Sequence, residues 1–115
     1  MVTFLYMLRF LSMNLEDLKY SIVTNNLRVT LHADEELEKD NLTLRDILMS
    51  IESFEIIEDY PLSKPLPSCL ILSFTINNEP VHTVWAYNNT TKRVILITVY
   101  RPDPVKWIEY KRRKK

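Results

Sequence analysis

Val81-His82-Thr83-Val84-Trp85-Ala86-Tyr87-Asn88-Asn89-Thr90-Thr91-Lys92-Arg93-Val94-Ile95-Leu96-Ile97-Thr98-Val99-Tyr100 decides the fold. Val81 to Tyr87 and Arg93 to Tyr100 are rich in β-branched and aromatic residues, the composition of strands. Between them, Asn88-Asn89-Thr90-Thr91 is a hairpin connection with asparagine at positions that tolerate positive φ. Upstream, Asn77-Asn78-Glu79-Pro80 is a turn, and Cys69 to Ile76 is a further apolar strand. Pro61, Pro65 and Pro67 force an extended loop, and Phe54, Ile56 and Ile57 make a short strand before it. The second half of the chain therefore predicts an antiparallel meander.

The first half reads as helices. Leu15, Leu18, Ile22 and Val23 recur at helical spacing behind Asn14, an N-cap followed by the first-turn acids Glu16 and Asp17. Asn25-Asn26 supplies a left-handed turn, after which Leu27, Val29 and Leu31 alternate with Arg28 and Thr30 in a short strand-like stretch. Ala33 to Lys39 is an acidic helix, and Thr43 with Asp46 opens a third whose apolar face holds Leu44, Ile47, Leu48 and Ile51. Helices first and strands after predict an α+β domain, with N-terminal helices packed on a C-terminal antiparallel sheet. Its span is 14–107, between an apolar N-terminal extension at 1–13 and a basic C-terminal tail at 108–115.

Composition agrees with one soluble domain: 115 residues, 46% hydrophobic and 26% charged. A single cysteine, Cys69, excludes an internal disulfide and a multi-cysteine metal centre, and points to a reducing cytoplasm. The chain holds no glycine, where ordinary usage gives about eight, so glycine-dependent phosphate loops are absent. Met1 to Ser12 is apolar apart from Arg9, but a membrane-spanning helix needs about 20 apolar residues, and Asn14, Glu16 and Asp17 end the run. Arg9 lies inside the run, unlike the charge of a signal peptide, so no membrane partner is expected. Either this segment packs on the body or a partner, or it is an upstream extension and Met13 is the natural start. Residues 1–59 carry 5 basic and 12 acidic side chains, and residues 60–115 carry 10 and 3, so a neutral total hides a split of −7 against +7. The basic half suits a polyanion, or the two halves neutralise each other across a seam, with Lys111 to Lys115 a solvated tail.

No metal ligand set is expected, because His32 and His82 lie about fifty residues apart without short-spaced partners, and no cofactor is implied. If the hairpin pairs Tyr87 with Lys92, Trp85, Tyr87, Lys92 and Tyr100 share one face, a stacking platform for bases or else core. His82 and Arg101 then share the other face, and a one-residue slip in register separates them.

The succession Arg28-Val29-Thr30-Leu31-His32-Ala33, Leu42-Thr43-Leu44-Arg45-Asp46-Ile47 and Glu55-Ile56-Ile57-Glu58-Asp59-Tyr60-Pro61 resembles the small prokaryotic proteins of domain of unknown function 4258. Pro67-Ser68-Cys69-Leu70-Ile71-Leu72, Pro80-Val81-His82-Thr83-Val84-Trp85-Ala86-Tyr87 and Ile95-Leu96-Ile97-Thr98-Val99-Tyr100-Arg101-Pro102-Asp103-Pro104-Val105-Lys106-Trp107 extend the likeness. Through that family's similarity to RelE-like toxins, the resemblance implies a RelE-like toxin fold. It also implies a metal-independent endoribonuclease acting on messenger RNA, with a cognate antitoxin protein as partner. The expected catalytic groups are His32, His82, Tyr100 and Arg101, and the expected RNA contacts are Lys64, Trp85, Lys92 and Arg93. The alternative is a non-catalytic protein-interaction domain of the same fold, acting as a homo-oligomer or subunit. Where that family has arginines after the histidine and alanine, this chain has Asp34, Glu35, Glu36 and Glu38, an acidic face that repels phosphate.

Overall fold

Helix starts in this chain are set by side chains that stand in for missing backbone partners. In the computed structural model, which describes residues 13–115, helix α1 (Leu15–Val23) begins at Asn14, whose side chain accepts from the Asp17 amide at 3.0 Å. The apolar extension before Met13 lies outside the described residues, as do the expectations attached to it. Asn25, at φ 62°, provides the left-handed step after α1. Helix α2 (Leu31–Lys39) starts earlier than its apolar pattern predicts because Thr30 caps it, accepting from the Ala33 amide at 3.1 Å. Helix α3 (Leu44–Met49) opens on the expected capping box: Thr43 Oγ1 accepts from the Asp46 amide, and the Asp46 carboxylate accepts from the Thr43 amide. A single 3₁₀ turn, Ile51–Ser53, follows.

The strands are β1 (Leu27–Val29), β2 (Glu55–Tyr60), β3 (Ser68–Phe74), β4 (Pro80–Asn88) and β5 (Arg93–Tyr100), in sheet order β1-β5-β4-β3-β2. β2 to β5 form the expected antiparallel meander. The sheet as a whole is mixed, because β1 joins β5 in parallel, Leu27 opposite Val94. Local alternation identifies a strand but does not reveal its direction relative to a partner far along the chain. β1 is short, and α2 takes over beside the rest of β5. Thr30 donates its amide to the Leu96 carbonyl and its hydroxyl to the Ile97 carbonyl, while Asp40, after α2, accepts from the Arg101 amide.

The three helices of the described residues pack on one face of the sheet. Leu18, Ile22, Ala33, Leu37 and Ile47 meet Ile71, Val81, Trp85, Val94, Leu96 and Val99 in a single buried cluster. Trp85 is fully buried and donates its indole N–H to Thr83 Oγ1 at 2.8 Å, so its one polar atom is satisfied.

The β4–β5 register differs from expectation. Tyr87 lies opposite Val94, not Lys92, and Lys92 itself turns the chain at φ 61°. Asn88 contributes by accepting from the Thr90 and Thr91 amides instead of adopting positive φ. Val84 pairs with Thr98 but Trp85 pairs with Leu96, so Ile97 is an extra residue in β5. This bulge reverses the parity of β5: Val94, Leu96 and Val99 all face the helices, and Tyr100 faces the other way.

The basic end is exposed from Lys111 to Lys115, yet it is ordered. Two short strands, β6 (Trp107–Ile108) and β7 (Arg112–Arg113), pair as an antiparallel hairpin. Trp107 is buried, and the three-residue turn between the strands places Glu109 and Tyr110 at φ 52° and 62°. Both angles belong to the left-handed region, which costs an ordinary residue roughly 1–2 kcal/mol. In a chain with glycine this turn would favour it.

Candidate active site

Alternation along β4 puts Val81, Thr83 and Trp85 in the helix-facing core and His82 on the opposite face. The Ile97 bulge then brings Tyr100 directly opposite His82. A second bulge, at Ile57 in β2, lets Glu55 pair with Leu72 and Glu58 with Leu70, so two acids three residues apart share the face of His82. The C-terminal hairpin lies over these groups.

His82 has no exposed surface and both ring nitrogens are engaged. Nε2 is 2.6 Å from the Tyr110 carbonyl oxygen, and Nδ1 is 3.0 Å from the Tyr100 hydroxyl. A carbonyl only accepts, so Nε2 carries the proton of the neutral ring; Nδ1 is then the acceptor, and Tyr100 donates to it. Burial lowers the His82 pKa and favours this neutral form, against the opposing pull of the Tyr110 carbonyl and the Glu58 charge. Burial likewise raises the Tyr100 pKa and keeps the phenol protonated. A directed chain results, from the Tyr100 hydroxyl through the imidazole to a fixed carbonyl.

The Trp107 ring stands edge-on to His82, with centroids 4.5 Å apart and planes at 89°. Arg113 covers the Trp107 face at 4.7 Å and grips Glu58 with two bonds, Nε to Oε2 at 2.8 Å and Nη2 to Oε1 at 3.1 Å. This fork holds the Glu58 carboxyl below its ordinary range and raises the Arg113 pKa in turn. Tyr60 donates to Glu58 as well, and burial together with that carboxylate pushes its phenol up to about 12. Farther out, Lys111 and Glu55 pair at 3.2 Å.

The structure thus brings together two of the four expected catalytic groups, His82 and Tyr100. His32 is exposed on α2 and held by Glu36 at 2.8 Å. Glu36 is near enough for its charge to raise the Tyr100 pKa. Arg101 is fixed at the end of β5, as its place before Pro102 suggests, and it is turned toward Asp40 and Glu79: Nε donates to the Asp40 carbonyl at 3.1 Å, and Nη1 lies 3.5 Å from Glu79. It does not share a hydrogen-bonded cluster with His82, because the bulge gives that position to Tyr100. Of the expected RNA contacts, Lys64, Lys92 and Arg93 are exposed, whereas buried Trp85 offers no stacking surface. Lys92 and Arg93 sit at the hairpin turn, about 20 Å along the strands from His82. Glu58, Tyr60, Trp107, Tyr110 and Arg113 are the members that reading the sequence missed. The adjacent pair Ile56-Ile57 was a visible signal, since it interrupts alternation where β2 bulges. Among the described residues, no three His, Cys, Asp or Glu side chains are grouped to hold a metal ion. No helix of the described residues is long and apolar enough to cross a membrane.

An α+β domain with a histidine–tyrosine pair on the sheet face away from its core is the class that these elements define. The chain belongs to the family described as a domain of unknown function (DUF4258), which matches residues 29–101. No curated protein and no solved structure matches it.

Proposed function

We propose that this chain is a RelE-like, toxin-type endoribonuclease that cleaves messenger RNA without a metal and is held in check by a cognate antitoxin. The observation that carries this reading is the Tyr100 hydroxyl donating to Nδ1 of a His82 whose other nitrogen is already committed. Because His82 is wholly buried, Tyr100 is the group that meets RNA, and His82 acts behind it as the proton store. The RNA 2′-hydroxyl attacks the adjacent phosphorus and passes its proton to the Tyr100 oxygen as the Tyr100 proton moves to Nδ1. The resulting imidazolium is held by the Tyr110 carbonyl and the nearby Glu58 charge. When the phosphorus–5′-oxygen bond breaks, the relay runs backward: Tyr100 protonates the leaving oxygen and His82 returns to neutral. The products are a 2′,3′-cyclic phosphate and a 5′-hydroxyl. Exposed Lys64, Lys92 and Arg93 attract the flanking backbone.

The purified chain incubated with single-stranded RNA is expected to yield cyclic phosphate ends. Tyr100→Phe is expected to lower the cleavage rate about 10²- to 10⁴-fold. Equal cleavage by wild type and Tyr100→Phe would overturn the assignment. A second reading, a protein-interaction domain without catalysis, is favoured by the complete burial of His82. It expects no cyclic phosphate ends from the wild-type chain.

A further inference from the structure

We infer that the C-terminal hairpin is part of this site, and that Glu58 and Arg113 are positioning residues that set the tautomer of His82 through the Tyr110 carbonyl. The inference rests on the reading of Tyr100 and His82 as a proton relay, and it assigns a role to residues beyond the family-matched segment, which ends at 101.

An isolated two-stranded hairpin is marginal in water, and β6 and β7 contribute only two residues each. Its turn also holds Glu109 and Tyr110 in the left-handed region, a conformation that persists only where surrounding contacts over-determine it. The contacts are specific. Trp107 anchors one strand against the His82 ring, and Arg113 on the other strand is clamped between the Trp107 face and the Glu58 carboxylate. Tyr60 fixes Glu58 from the sheet side. This clasp delivers the Tyr110 carbonyl to Nε2 at 2.6 Å.

The carbonyl determines which way the relay works. With Nε2 as the donor, Nδ1 is a free base aimed at Tyr100. If the carbonyl drifts away, the imidazole proton can sit on Nδ1 instead, where it would point at the Tyr100 oxygen and leave no base to take the phenolic proton. Glu58 and Arg113 touch neither reacting atom, yet they hold the element that prevents this reversal. The carboxylate therefore works as an orienting group acting through a backbone carbonyl.

Nitrogen-15 NMR of His82 in the full chain tests this directly. Wild type is expected to show the Nε2–H tautomer alone, and Arg113→Gln a mixture of both tautomers with cleavage lowered about 10- to 100-fold. Arg112→Gln, an exposed change on the same strand, is expected to alter neither. A folded Arg113→Gln protein that keeps the wild-type tautomer would overturn the inference. If Arg113→Gln fails to fold, Glu58→Gln, which keeps the side chain's shape, is expected to give the same mixture, and an unchanged tautomer in that variant would overturn the inference equally. A wild-type chain that cuts no RNA but whose tautomer responds to Arg113→Gln would support the hairpin's control of His82 and overturn the nuclease reading. Cleavage by wild type together with an unresponsive tautomer would do the reverse.

Discussion

On the helix-facing side of the sheet, Ile71, Val81, Trp85, Val94 and Leu96 follow regular alternation and are sealed by helices with well-formed caps. The opposite side carries His82, Tyr100, Glu58 and Tyr60, reached through two bulges and covered by a hairpin with a strained turn. The first face is built from transfer of apolar surface, which is non-directional and tolerant of exact geometry. The second is built from hydrogen bonds and a charge pair, which are worth little unless their geometry is held. Local rules are kept where the chain needs stability and broken where it assembles polar groups.

The sharpest way to break this comparison is on the apolar face. Trp85→Ala removes a fully buried indole beside Phe54, 6.0 Å between ring centroids, and is expected to cost about 3–5 kcal/mol in urea unfolding. A loss below about 1 kcal/mol would mean that this face is not the stability core.

On the polar face, the expected signature is pH dependence. His82 has a lowered pKa in the fold, so between its ordinary value near 6.5 and that lower value the unfolded chain binds more protons than the folded one. Stability therefore falls as pH drops through that window, and Glu58, also lowered, adds a further loss below about 4.5. Unfolding midpoints at pH 7.5 and 5.5 are expected to differ in wild type, and the difference is expected to shrink in His82→Gln. An unchanged slope in that variant would place the acid sensitivity elsewhere.

The smallest effect concerns the hairpin turn. Glu109→Gly relieves a positive-φ position while adding unfolded-state entropy, for an expected net gain of about 0.5–1 kcal/mol and a higher melting temperature. A lower melting temperature would show that the Glu109 side chain makes a contact worth more than the strain.

Much of the apolar face was legible in the sequence because its determinants are local. Asn14, Thr43 with Asp46, and Asn25 each act within a few residues, and all three do what their side-chain chemistry predicts. His82 and Tyr100 were legible as individuals, through their chemistry, but not as a pair. Their pairing depends on whether Ile97 is counted into the β5 ladder, and nothing in the run Leu96-Ile97-Thr98-Val99 distinguishes a bulged strand from a regular one. Glu58 and Arg113 lie fifty-five residues apart and meet only because a basic tail folds back, so no spacing rule connects them. The parallel placement of β1 was hidden for the same reason.

Thr30 joins two jobs that are usually separate, capping a helix and satisfying a bulge. Its position means that α2 occupies the flank of β5 where a sixth strand would otherwise add, and β1 alone is too short to serve as a template for one. Among the described residues the other flank of the sheet is β2, which carries Glu55, Glu58 and Asp59. Glu55 and Glu58 are paired there with Lys111 and Arg113, so the C-terminal hairpin braces this outer strand, and Asp59 adds an exposed charge of the kind that discourages strand-to-strand pairing.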